Sequence, residues 1–190
     1  MPNKFQKKKA PSKKKNKKIH EIDGKKFSTK GAKDLYEVLK NHLKNGFIHQ
    51  FNIPEVDQEA KNKYGSKKCQ INDITFDSML EARFFLHLLT IQELGKTTLI
   101  ETHPKFILQE GFKKNDKRIY PIHYNADFKV TYSDGTTAIY DTKGRETADF
   151  KIKKKLFFYK YPDLDLICVK QLKGVWVNKD TEEELPFARI

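Results

Sequence analysis

The stretch that decides the fold is an acidic hairpin. It runs Asn125-Ala126-Asp127-Phe128, turns at Ser133-Asp134-Gly135, and returns through Ile139-Tyr140-Asp141-Thr142-Lys143-Gly144. β-Branched and aromatic residues on both arms of an Asp-Gly turn predict a β-hairpin with glycine in the left-handed position. A three-residue loop over 133–135 sets Tyr132 against Thr136 and Asp127 against Asp141. Lys143, two residues further on, then shares their face. A two-residue turn at Asp134-Gly135 would instead set Asp127 against Thr142. In the first register two like charges face each other, which costs a sheet about 0.2–1 kcal/mol. A divalent cation on the carboxylate oxygens is the natural offset.

Outward from the hairpin, the spacing of Leu80, Phe84, Leu88 and Ile91, widened by Phe85 and Leu89, predicts a helix over 79–94, stopped by Gly95. Residues 105–110 read as a strand, and Lys113, Lys114, Lys117 and Arg118 as a basic loop. A second helix is expected over 148–160, with Thr147 as N-cap, Pro162 beyond its end, and Ile152, Leu156 and Tyr159 at core spacing. Short strands follow at 164–169 and 175–177, split by Lys173-Gly174. Such an order predicts an α/β domain over 71–190, a mixed central sheet flanked by helices. Upstream, residues 21–70 form an accessory helical segment with one helix over 32–44, ended by Gly46, and a loop or weak helix over 50–70. Asp23-Gly24-Lys25-Lys26-Phe27-Ser28 faintly echoes Asn72-Asp73-Ile74-Thr75-Phe76-Asp77, each before a helical pattern.

The chain has 190 residues, 33% of them charged, with a formal net charge of +13. Much of that excess lies in residues 1–18, where nine lysines, among them Lys7, Lys8, Lys9, Lys13, Lys14 and Lys15, stand without an acid. Residues 1–20 therefore read as a disordered basic arm. Its lysines suit nucleic acid, since each neutralised phosphate releases counterions. A solubilising tail or an import signal has the same composition. Cys69 and Cys168 are too few for a disulfide framework or a zinc cluster, which points to reduced thiols and a cytoplasmic setting. No apolar run reaches membrane-spanning length. The six histidines lack paired metal-ligand spacing, His87 and Trp176 read as core, and no phosphate-binding Gly-Lys-Ser/Thr loop is present.

Glu81 has two readings. Ser78-Met79-Leu80-Glu81 fits a capping box, and the same carboxylate can turn to a metal held by the hairpin. Lys143 is either an ordinary ion-pair partner of the aspartates or a positive charge placed where charge develops on a phosphate. Lys151, Lys153 and Lys154 form either a solvated helical face or a grip on a bound strand. Gln109 either touches the site or closes a strand edge.

Taken in order, Phe76-Asp77-Ser78-x-x-Glu81-Ala82-Arg83, Gln109, Tyr124-x-Ala126-Asp127-Phe128, Asp141-x-Lys143-Gly144 and Phe150-x-x-Lys153 resemble an uncharacterised phage family of the PD-(D/E)XK nuclease superfamily. The resemblance covers roughly 71–170. It implies a restriction-endonuclease-like core of one helix, three strands, a helix and another strand. Asp127 and Asp141 would hold Mg²⁺ or Mn²⁺ at the hairpin rim, Glu81 would complete the shell, and Lys143 would sit beside the attacking water. Lys153 is the helix lysine the pattern singles out. The family pattern has an acid where this chain has Tyr140, and often Glu at the position of Asp141. The implied activity is a DNA endonuclease of the host cytoplasm. By analogy with small basic members such as the Holliday-junction resolvases of Gram-positive bacteria, its substrate is branched DNA, cut by a homodimer. The competing readings are a non-catalytic nucleic-acid-binding protein and an RNA- or ribosome-associated basic protein.

Overall fold

The computed structural model describes residues 19–55, 68–143 and 146–188. The chain opens with strands β1 (His20–Ile22) and β2 (Lys25–Phe27), helix α1 (Lys30–Lys44) and β3 (Phe51–Asn52). Next come β4 (Cys69–Ile71), β5 (Ile74–Phe76), α2 (Met79–Glu93) and β6 (Thr97–Thr102). Strands β7 (Lys105–Gln109), β8 (Phe112–Lys114), β9 (Lys117–Ile119) and β10 (Ile122–Asn125) make an excursion. The acidic hairpin is β11 (Phe128–Tyr132) and β12 (Thr137–Thr142), and α3 (Ala148–Lys160), β13 (Asp165–Leu172) and β14 (Val175–Asn178) complete the fold. Residues 1–18, including the arm lysines Lys7, Lys8, Lys9, Lys13, Lys14 and Lys15, lie outside the described residues.

The central sheet has the order β14-β13-β12-β11-β6. It is mixed: β12 and β13 run parallel, joined through α3, and every other neighbouring pair is antiparallel. Parallel neighbours need such a crossover, because a tight turn can only reverse the chain. Phe128, Val130 and Tyr140 pack with α1 and α2 on one face, while Ile139, Leu166 and Cys168 pack with Phe150 and Phe157 of α3 on the other. Central β12 is consequently buried from Ala138 to Thr142 on both its faces.

The hairpin takes the three-residue register. Phe128 pairs with Tyr140 and Thr131 with Thr137. Tyr132 N donates to Thr136 O at 2.9 Å across a loop in which Gly135 has φ +86°. Asp134 stiffens the loop by accepting from Thr136 N and Oγ1 at 2.9 and 2.7 Å. The same pairing, extended by Asp127 N donating to Tyr140 O at 3.1 Å, brings Asp127 across from Asp141.

The helices begin at their expected caps. Ser78 Oγ accepts from Glu81 N at 3.1 Å and Thr147 Oγ1 from Phe150 N at 3.2 Å. The face of α3 differs from the expectation: Ile152 and Tyr159 are exposed, and Phe150 and Phe157 are the residues buried. The ring of Phe157 meets those of Phe106, Tyr124 and Tyr161, and these aromatic contacts set the rotation of the helix. The strand at 105–110 forms but pairs with β10, outside the central sheet. β6 takes the place beside β11, and its Thr-Thr-Leu-Ile-Glu-Thr composition carried a strand signal. The basic loop is a hairpin, β8–β9, because Asn115 and Asp116 both adopt positive φ, as a tight two-residue turn requires.

The echo between the two halves is structural. Each copy is a hairpin, a cap and a 15-residue helix. Asp23 matches Asn72 at φ 51° and 52°, Phe27 matches Phe76, Thr29 matches Ser78, and Gly46 matches Gly95. Leu35 and Leu39 of α1 belong to the same apolar cluster as Phe84 and Leu88 of α2, so the N-terminal unit shares one core with the domain. Where α2 carries Glu81, α1 carries Ala32.

Candidate metal centre

A cavity of about 780 Å³ opens at the end of the sheet where β11 begins and β12 ends, and Glu81, His103, Asp127, Thr142 and Lys143 line it. Asp141 lies beneath, fully buried. Strand alternation puts Asp127, Asp141 and Lys143 on the α3 face, while Glu81 arrives from α2 at the same rim. All four residues marked out by the sequence pattern are thus brought together.

Their hydrogen bonds fix the geometry. Asp127 Oδ2 accepts from Thr142 N and Thr142 Oγ1, both at 2.7 Å. Tyr124 Oη donates to Asp141 Oδ2. Lys143 Nζ lies 2.6 Å from Asp141 Oδ1, but no hydrogen bond of regular geometry reaches that oxygen. The contact is a close, buried ion pair. Glu81 departs from the capping-box reading. Ser78 caps the helix as expected, yet the Glu81 carboxylate bypasses the Ser78 amide: Oε2 accepts from Asp77 N at 3.1 Å, and Oε1 meets His103 Nε2 at 2.8 Å. Ser78 alone makes the cap, while the Glu81 carboxylate ties the residue before it and lines the cavity.

The electrostatics describe a site short of positive charge. Burial, with the charges of Asp141 and Glu81 behind it, pushes Asp127 up to about 7 against the pull of Lys143. Burial also raises Glu81, although His103 opposes it. Lys143 is pulled down by burial, but the charges of Asp141 and Asp127 outweigh this and hold it above its ordinary value as an ammonium. Burial and the neighbouring Asp141 raise the Tyr124 phenol, so it stays protonated and donates. Three carboxylates share one ammonium, and a hard dication is the ligand that suits such a set of oxygen donors.

Three contributors escaped the sequence reading. His103 holds Glu81 through its side chain and Asp127, just before β11, through its amide, which donates to Asp127 O at 2.9 Å. Tyr124 orients Asp141, and Thr142 orients Asp127. Only Tyr124 had a signal, since it stands inside the matched motif; His103 sits in a turn at φ 53° with no local mark of its role.

The helix lysines divide. Lys151 is exposed, and Lys153 pairs with Asp149 at 3.2 Å on the solvent side. Lys154 corrects the expectation of a common strand-gripping face. It turns inward, its side chain 16% exposed, and bonds Asp180 and Cys168 Sγ. Glu146, Cys168 and Asp180 bring three donor atoms within 4.8 Å of one another. The Lys154 ammonium already occupies that cluster, and burial pushes the Cys168 thiol up to about 11, so the sulfur stays protonated. Gln109 pairs with Ile122 at the far end of β7 and closes a strand edge.

Fold and site together define a mixed α/β protein with a multistranded central sheet and a carboxylate–lysine centre at its rim. Residues 61–175 match the family described as "Protein of unknown function (DUF1064)", and the chain belongs to that family. The matched span includes Glu81, Asp127, Asp141 and Lys143 and leaves α1 outside. No curated protein and no solved structure matches the chain. Among the described residues, no helix is long and apolar enough to cross a membrane.

Proposed function

We propose that this protein is a metal-dependent DNA endonuclease of the PD-(D/E)XK type. The observation that carries the reading is the convergence of Asp127, Asp141, Glu81 and Lys143 at one cavity, three carboxylates around a single ammonium. The path of the chain supports it as well. α2 is followed by three antiparallel strands in the sheet order β6-β11-β12, then by α3 crossing to β13 parallel to β12. That order, with β7–β10 between its first two strands, supports the helix, three-strand, helix, strand core that the resemblance implies.

In this reading Asp127 and Asp141 would hold Mg²⁺ or Mn²⁺, with Glu81 completing the set. A bound dication supplies a water of lowered pKa and a positive charge for the phosphoryl oxygens. The chain's own residues do the rest. Thr142 aims Asp127, and Tyr124 aims Asp141. Lys143, kept charged by both aspartates, offers its ammonium where negative charge grows on the phosphate. Its stem lies against Phe150, with Nζ 5.3 Å from the ring centroid, which restrains the amine near the cavity. Tyr140 carries no acid to the site: its hydroxyl bonds Tyr132 in the opposite core.

The test is cleavage of linear, flapped and four-way DNA with Mg²⁺ or Mn²⁺, beside the Asp141→Ala variant. A nuclease cuts at least one substrate, and the variant binds DNA without cutting. Wild-type protein that binds every substrate and cuts none would be a non-catalytic nucleic-acid-binding protein.

A further inference from the structure

The β8–β9 hairpin takes no part in the site described above. Its strands pair only with each other, and all six strand residues are exposed. Lys113 stands across from Arg118 and Lys114 across from Lys117, so two successive cross-strand pairs set cation against cation. Like charges placed opposite destabilise a ladder, and a two-stranded hairpin is marginal in water at best. Among the described residues none of the four has a carboxylate partner within ion-pair distance, whereas nearby Lys160 pairs with Glu110 at 3.0 Å. An isolated ribbon carrying four uncompensated cations suits a polyanion.

Its shape narrows the choice. Alternation puts Phe112, Lys114, Lys117 and Ile119 on one face and Lys113, Arg118 and Tyr120 on the other. The Arg118 guanidinium lies 5.1 Å from the centroid of the Tyr120 ring, which is itself 70% exposed. That stacking holds the arginine extended before any ligand arrives. The apolar pair Phe112–Ile119 is at the base and the polar Asn115–Asp116 turn is at the tip, the reverse of a segment that inserts into lipid. A two-stranded ribbon fits the major groove of B-DNA, about 12 Å wide, while the major groove of A-form RNA is too deep and narrow for side chains to read. From Lys117 to Asn125, which lines the cavity, the chain can span at most about 29 Å. That is less than one turn of duplex, about 34 Å.

We propose that the β8–β9 ribbon is a duplex-DNA contact arm, its four cations set on backbone phosphates within one helical turn of the carboxylate centre. The proposal rests on DNA being the substrate, as read above, but not on cleavage. It is tested with full-length protein in EDTA, by fluorescence anisotropy on a labelled duplex over a range of salt. The variant Lys113→Gln/Lys114→Gln/Lys117→Gln/Arg118→Gln should lower the slope of log K against log salt by about 3–4, since each phosphate contact contributes about 0.9. Affinity near 0.1 M salt should fall at least about tenfold. The pair Lys114→Gln/Lys117→Gln, which leaves the Arg118–Tyr120 stack in place, should give about half the change in slope without lowering the thermal midpoint, because it removes two cations that face each other across the ladder. An unchanged slope in both variants overturns the proposal, as does wild-type protein that binds no duplex. So does a loss that appears only on A-form RNA or on anionic vesicles. The two readings fail separately: inactive protein whose slope falls as stated keeps the arm, and active protein whose slope is unmoved keeps only the nuclease.

Discussion

Asp127→Asn is expected to make the metal-free protein more stable at mildly alkaline pH. In the folded chain Asp127 titrates near 7, above the ordinary value of 3.8, because it is buried beside Asp141 and Glu81. Between those two values the native state binds a proton that the unfolded chain has released, so stability falls as pH rises. The loss is complete once pH passes about 7. A shift of about three units corresponds to on the order of 4 kcal/mol. Asparagine removes the charge and keeps an oxygen for Thr142 N and Oγ1, whose bonds to the carboxylate are already included in that shift. A gain of that order should appear as a Tm several degrees higher. Thermal melts in EDTA across about pH 4–9 should show the two proteins converging in acid and the variant ahead in base. Saturating Mg²⁺ at alkaline pH should then raise wild-type Tm and leave the variant almost unmoved, since a ligand at about 100 times its Kd contributes about 2.7 kcal/mol. A variant less stable than wild type at every pH, or a difference that does not change with pH, would refute the charge-crowding account of this site.

Two further outcomes are expected. Gly135→Val forces a β-branched side chain into φ +86° and should destabilise the protein by about 1–3 kcal/mol, read from denaturant midpoints at unchanged slope, with nothing within 4 Å of the added Cβ to blame for a clash. Deleting residues 1–18 should weaken DNA binding and flatten its salt dependence while leaving cleavage at low salt; cleavage lost even at low salt would give the arm a part in the site itself.

Much of this architecture is local and was legible before any coordinates. The register that sets Asp127 across from Asp141 was one of two that Ser133-Asp134-Gly135 allowed, and the structure takes the three-residue turn. The caps at Ser78 and Thr147 and the span of α3 follow from side chains that bond their own helix. These interactions act over a few residues, so a single sequence states them. Their limits were equally physical. The face that α3 buries is decided by Phe106 and Tyr124, which come from distant strands, so Ile152 and Tyr159 kept helical spacing and still met solvent. β6 was passed over because its rank in the sheet comes from pairing with β11 far along the chain.

The sequence alone told that Asp141 and Lys143 share a strand face, because alternation along a strand is a property of the backbone, and it set Asp127 with them in one of two registers. Only the tertiary structure brought Glu81 and His103 around the sheet end to Asp127, locked Asp141 under Tyr124, and drew Lys154 inward. The reason is that burial and long-range approach create those contacts. They also create the raised proton affinity of Asp127, since a carboxylate resists ionisation only once its neighbours have excluded water and set other charges beside it.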